Sequence, residues 1–357
     1  MLRRARQVKK KGFTRYKGTP EEICTQIVKR CFNGNFFQVS AGHFREFYMR
    51  DFGICAQALL DLGYRDEVYK SLQYALVIFS RTGRITTTIT PDDKPKDFFS
   101  YASDSLPLLI RSLKIAEAKD LLATYKPFIE AQTQKYYERV FDTRNCMVKK
   151  GYFSSMKDNA KRESSCYDNC MLAMLSRDLD TIGLYNPFAG FDIKGALKKS
   201  LWNGKHFYDD RNRRAYVAGD ANVFPYWCDI FDDKSMLESS ISAIRKANID
   251  NQWPLKYTAR KVSRPIFPMS ILLPDYEADT VWMHLGLCYL DIVARYDKSL
   301  LKTYLKKIAD VIEEQKNFLE LYHPGGSPYR KFHYASDESM LWAVKFLALS
   351  ESVNYKY

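Results

Sequence analysis

The sequence predicts an all-α protein: about twelve helices paired as hairpins in a closed (α/α)6 toroid, with short β decorations at its rim. Three observations carry this expectation. Apolar residues recur at helical spacing from about residue 20 to the end, strand signals are few and isolated, and short turns alternate with long irregular loops. No strand–helix–strand rhythm appears, which excludes a doubly wound sheet or a (β/α)8 barrel. No period of roughly 33 to 47 residues recurs either, which favours a closed ring over an open solenoid.

The elements follow in order. Thr19 precedes Pro20 as an N-cap precedes a proline at the first helical position, and Ile23, Cys24, Ile27, Val28 and Cys31 then form one apolar stripe. Further amphipathic segments run near 51–62, 65–80, 103–115, 117–139, 167–183 and 193–201, then near 220–231, 234–247, 276–296, 298–321 and 336–351. Two stretches read as strand: Arg84 to Thr90 alternates, and 141–153 reads as a hairpin about Asn145. Loops 82–102, 140–166 and 203–219 are too long to be mere connectors and are candidate functional loops.

Composition narrows the class. Of 357 residues, 46% are apolar and 27% charged, which excludes a disordered or fibrous chain. No stretch reaches the roughly 18 uncharged residues that cross a bilayer, so no membrane span is expected. The opening Met1-Leu2-Arg3-Arg4-Ala5-Arg6 lacks the apolar core of a secretory signal, so a cytoplasmic protein is expected. The 8 cysteines include no C-x-x-C pair and read as reduced, buried thiols. The 5 histidines lack metal-ligand spacing, so neither metal nor cofactor is expected. Residues 1–18 hold eight cations and no acid out of a formal charge of +13, and they read as a mobile basic arm preceding one domain over 19–357. Such an arm has the chemistry to touch RNA, DNA or an anionic membrane, but a solvated terminus accounts for it, and nucleic acid is not expected as a partner.

Four clusters carry candidate chemistry. Phe47-Tyr48-Met49-Arg50-Asp51 places an Arg-Asp pair beside aromatics at a helix start, and Tyr101-Ala102-Ser103-Asp104 leads into another helix. Taken singly, these residues read equally as ion pairs and caps. Arg162-Glu163-Ser164-Ser165-Cys166-Tyr167-Asp168-Asn169 closes a long loop before an apolar helix. Glu320-Leu321-Tyr322-His323-Pro324-Gly325-Gly326 ends a helix on an acid, where the dipole disfavours it. Two carboxylates far apart in sequence, with aromatic faces and an Arg-Asp pair, are what hydrolysis of a glycosidic bond requires. A carbohydrate is therefore the expected partner.

These runs resemble known motifs. Glu163 to Asn169 resembles the E-S-G-x-D motif of the (α/α)6 glycosidases of family 63 and the family 37 trehalases, and Glu320 to Gly326 resembles their E-x-Y-x-P-x-x-G stretch. Phe47 to Asp51 is similar to the aromatic-x-R-D motif of glucoamylase-like enzymes, Tyr101 to Pro107 to a D-S-x-P-x-L helix entry, and Ala278 to Trp282 to the N-G-T-V-W stretch of debranching glucosidases. Ser165 and Cys166 stand where Gly and Trp are usual. The resemblance implies an inverting glycoside hydrolase acting on an α-glucoside or α-mannoside, with Asp168 as general acid and Glu320 as general base. It also implies Phe47, Arg50, Asp51, Tyr101, Asp104, Tyr167, Trp282 and Tyr322 as sugar-binding residues. Glu163 is the rival acid and Glu338 the rival base. The alternatives are an epimerase using His284 and His333, a phosphorylase with a phosphate site at Gly325-Gly326-Ser327, and a non-catalytic carbohydrate-binding protein.

Overall fold

The computed structural model describes all residues except Met1, Phe99, Asn159, Gln252, 260–263 and 266–275. After a first helix α1 (Leu2–Lys11), twelve helices among the described residues alternate between an outer and an inner ring. The inner ring is α3 (Met49–Asp61), α5 (Ser105–Ile115), α7 (Cys166–Thr181), α9 (Gly219–Trp227), α11 (Met283–Tyr296) and α13 (Ala343–Ser352). Each packs on the next and α13 returns to α3, so the ring closes. The outer ring is α2 (Pro20–Cys31), α4 (Arg65–Thr82), α6 (Lys119–Val140), α8 (Ile193–Leu201), α10 (Lys234–Lys246) and α12 (Lys298–Gln315).

The sequence decides which helix goes where. Outer α2 buries one stripe, Ile23, Cys24, Ile27, Val28 and Cys31, and starts with the reciprocal Thr19–Glu22 capping box. Inner α7 buries every residue from Cys166 to Leu175, as a helix must when neighbours surround it. Close approach in the inner ring needs glycine at two places. A Cβ on Gly53 would lie 2.7 Å from Leu108 Cβ of α5, and one on Gly286 would lie 2.5 Å from the Pro254 carbonyl oxygen. All 8 cysteines are free. Among the described residues no helix is long and apolar enough to cross a membrane.

Three helices are shorter than their apolar pattern suggests, and all three differences fall at the rim. Residues 281–282 form β8 (Val281–Trp282), which pairs with β9 (Leu321–Tyr322) instead of extending α11 or α12. At Lys316 the backbone turns left-handed and ends α12. After β11 (Tyr334–Ala335) has paired with β10 (Arg330–Lys331), residues 336–342, expected as the start of the last helix, carry single bridges from Glu338 to Leu319 and from Met340 to Ser40, and α13 begins only at Ala343. Cross-strand pairing overrides helical spacing in each case. The sequence-expected strands are present: β2 (Thr88–Ile89) lies between β1 (Phe47–Tyr48) and β3 (Pro95–Lys96), and β4 (Phe141–Asp142) pairs with β5 (Met147–Val148).

The N-terminus differs from the mobile arm expected for residues 1–18. Helix α1 packs on β11, with Ala5 and Val8 buried against Ala335, and Arg4 forms an ion pair with the buried carboxylate of Glu338. Two small apolar residues spaced three apart suffice for a seam, and their basic neighbours hid it. Deleting residues 2–12 is expected to cost about 2 kcal/mol, because Glu338 stays buried without its cation. Thermal denaturation reads this as a lower Tm; an unchanged Tm would show the contact to be idle.

Candidate active site

The inner helices all direct their N-termini to one mouth of the ring, and side chains from their first turns join across it. The Arg50 guanidinium of α3 donates to Asp104 at the start of α5, through Nε at 2.5 Å and Nη2 at 3.4 Å. The Tyr167 hydroxyl of α7 donates to the same carboxylate at 2.8 Å. Burial opposes the Arg50 charge, but Asp104 and Asp158 more than offset it and raise its pKa well above the ordinary value. Asp104 occupies the N-cap position of α5 yet makes no side-chain cap bond, because its oxygens serve Arg50 and Tyr167 instead. On the other side of α3, the Trp342 indole donates to Asp51 Oδ1 at 2.8 Å. Burial raises the Asp51 carboxyl to about 6.

Asp168 sits in the first turn of α7, which Ser165 caps by accepting from the Asp168 amide. Its two oxygens accept from Ser103 at 2.7 Å and Ser165 at 2.6 Å. Burial raises the Asp168 carboxyl to about 6, with Arg162 and the two serines pulling the other way. Glu320 immediately precedes β9, and its carbonyl accepts from the Met283 amide, which fixes it beside the start of α11. Glu320 Oε2 accepts from the Tyr334 hydroxyl and from the Asp337 amide at 2.9 Å, while Oε1 accepts from the Tyr276 hydroxyl at 3.2 Å. Burial raises this carboxyl to about 7, against the pull of those donors.

Between these groups runs an aromatic wall. The Trp282 ring stands edge-on to Tyr276 at 4.8 Å and to His284 at 5.0 Å, and His284 packs on Trp342 at 4.6 Å. Burial, with Arg50 nearby, lowers the His284 pKa to about 3, so the imidazole is neutral.

A second charged cluster, not anticipated from the sequence, is built around Arg162. Arg162 Nη1 lies 3.1 Å from Asp209 and 2.6 Å from Asp220 in the first turn of α9, while Lys157 Nζ lies 3.3 Å and 3.4 Å from the same two carboxylates. The Tyr216 hydroxyl adds a bond to Asp209 at 2.6 Å. Although burial pushes the Asp209 carboxyl up, Lys157 and Arg162 hold it well below its ordinary value. The sequence signal was an aspartate opening an apolar inner helix, which Asp51, Asp168 and Asp220 share.

Some sequence candidates sit elsewhere. Phe47 is fully buried among Phe36, Phe52 and Tyr74 and presents no face to a sugar, because a β1 side chain there points into the core. Tyr322 is likewise buried, edge-on to Trp253 at 4.5 Å. Tyr101 stays partly exposed with Arg139 over its ring, and Trp282 donates its indole N–H to the Tyr276 carbonyl at 2.6 Å. The rival acid Glu163 is exposed and paired with Lys150 at 3.3 Å. The rival base Glu338 is committed to Arg4, to Thr14 and to Asn317 Nδ2 at 3.2 Å. No cluster able to hold a metal ion occurs among the described residues.

No protein-family model and no curated protein sequence matches the chain. Solved structures do match in fold. A glycosidase in complex with glucose superimposes with a TM-score of 0.70 at 12% identity, over 100% of this chain and 98% of that one. A GH63 mannosylglycerate hydrolase from Thermus thermophilus in complex with Tris gives 0.62 at 11% identity, over 93% and 99%. A rhamnosidase from Klebsiella oxytoca with rhamnose bound gives 0.67 at 11% identity, covering 93% of this chain, which spans 62% of the rhamnosidase's length. The fold is that of the six-hairpin glycosidases.

Proposed function

We propose that the chain is a glycoside hydrolase cleaving an α-linked glucoside or mannoside with inversion, Asp168 acting as general acid and Glu320 as general base. The observation that carries the reading is the pair itself: two buried carboxylates from distant parts of the chain, Asp168 in the first turn of α7 and Glu320 before β9 beside the start of α11, both with raised pKa values. One fold neighbour holds glucose and another is a mannosylglycerate hydrolase, which supports the choice of sugars.

In this mechanism Asp168 protonates the departing glycosidic oxygen. Either flanking serine hydroxyl can rotate to accept from the protonated acid, so no hydrogen bond is lost when it holds its proton. Glu320 takes a proton from the water that attacks the anomeric carbon from the opposite face, which requires the carboxyl groups to lie about 6.5–9.5 Å apart. Tyr334 and the Asp337 amide fix Oε2, leaving Oε1, with its single long bond to Tyr276, to face that water. Arg50 and Asp51 line the subsite for the sugar of the cleaved bond, with Trp282 close by and Asp104 holding the Arg50 guanidinium in place. The domain over 19–357 is the catalytic unit.

The order of the two pKa values shapes the rate profile. With the acid at about 6 and the base at about 7, only a minority of molecules holds the productive pair of protonation states between those values. The pH profile of kcat/KM should therefore bend near pH 6 and pH 7. The direct test of the function follows the first-formed sugar by proton NMR, with maltose, kojibiose, trehalose and mannosylglycerate as substrates. Inversion is expected before mutarotation; retention, or no hydrolysis of any glycoside, would overturn the proposal.

Two other readings have less behind them. His284 is a neutral, buried imidazole in α11, whereas His333 sits in the β10–β11 turn against Phe332, so they form no working pair. The Gly326 amide is used by the His323 carbonyl, and the hollow beside it is lined by Asp310 and Glu314 against one cation, Lys307, a balance that disfavours phosphate.

A further inference from the structure

We propose that the groove between α1 and the β10–β11 hairpin binds the sulfate, phosphate or carboxylate groups of an anionic glycan. The groove encloses about 530 Å³ and is lined by Arg6 and Lys9 on one wall and by Arg330, Lys331 and Tyr334 on the other. Among the described residues no carboxylate pairs with any of the four cations, although Arg4 on the same helix is paired with Glu338. Arg330 instead lies over the Phe13 ring at 4.7 Å and Lys331 over Tyr329 at 5.5 Å, so aromatic faces hold their heads in place without neutralising them. Four like charges around one hollow repel each other and raise the local concentration of anions.

Two further observations select the ligand. The volume is that of a small-ligand site and too small to seat a nucleic-acid duplex. Tyr334 forms part of the groove wall and its hydroxyl donates to Glu320, so the groove floor and the candidate base share one buried side chain, although Glu320 itself does not line the groove. Phe332, 77% exposed at the hairpin tip, offers a flat apolar face of the kind a pyranose ring covers. The carbohydrate part of this inference rests on the glycosidase reading; the anion part does not.

The test is equilibrium binding of sucrose octasulfate to the full chain by titration calorimetry. Binding that weakens as salt rises is expected, and so is a loss of roughly tenfold in affinity in Arg330→Gln/Lys331→Gln and, separately, in Arg6→Glu/Lys9→Glu. If the second variant unfolds α1, the hairpin variant alone decides. No binding by the natural chain, or unchanged affinity in the hairpin variant, overturns the groove. Equal affinity for a single-stranded DNA of matching charge overturns the assignment to glycans. Groove-dependent binding by a chain that hydrolyses no glycoside sustains the anion site and removes the glycosidase reading, whereas hydrolysis of neutral glycosides without groove-dependent binding does the reverse.

Discussion

Glu320→Gln is expected to lose about 10²–10⁴-fold in turnover and yet to be more stable than the natural chain above pH 7. The two effects share one cause. Burial raises the Glu320 carboxyl from an ordinary 4.5 to about 7, so the folded state binds its proton more tightly than the unfolded state does. A group shifted in this direction contributes its full stability below about pH 4.5 and loses it as pH rises through 7. Above that pH the buried anion costs roughly 3 kcal/mol. Glutamine keeps an acceptor for Tyr334 and the Asp337 amide and never ionises, so the advantage of the variant should grow from about pH 4.5 to pH 7 and level off above it. Paired urea titrations at several pH values measure it. A stability difference that does not vary with pH would remove the burial argument, and undiminished turnover would remove Glu320 from the chemistry.

The ring could be read from the sequence because its signals are local. The Thr19–Pro20 start, the one-sided stripe of α2 and the all-round apolar face of α7 each lie within a few turns of chain. The partners at the mouth are not local. Nothing near Glu338 in sequence reveals that Arg4 neutralises it, and nothing near Glu320 reveals Tyr276. Asp104 illustrates the ambiguity. Its place before an apolar helix reads as a cap, and only the position of Arg50 and Tyr167 shows that its carboxylate is spent across the ring. Phe47 failed in the opposite direction, since an aromatic beside an Arg-Asp pair looks alike in sequence whether its ring faces a sugar or the core.

Arg162→Met is expected to destabilise the chain by about 3–5 kcal/mol and to move the lower bend of the pH profile upward. Arg162, Lys157, Asp209 and Asp220 are all nearly excluded from solvent, so the two carboxylates depend on the two cations for their charge. Removing Arg162 leaves Lys157, at 3.3 Å and 3.4 Å, as the only cation shared by both, and an uncompensated buried charge carries a penalty of that size. The cluster also ties loop 140–166 to loop 203–219 and to the first turn of α9, so its loss should loosen the mouth of the ring. Its second effect reaches Asp168. Burial raises that carboxyl, and Arg162 is the strongest influence holding it down, so without the guanidinium the acid should keep its proton to higher pH. Adding Asp220→Asn removes the stranded charge and should restore part of the stability, while the shifted bend, which depends on Arg162 alone, should remain. A loss under about 1 kcal/mol would show that Lys157 suffices for both carboxylates. A bend that returned with the second substitution would show that Asp168 responds to the fit of the loops and not to the guanidinium charge.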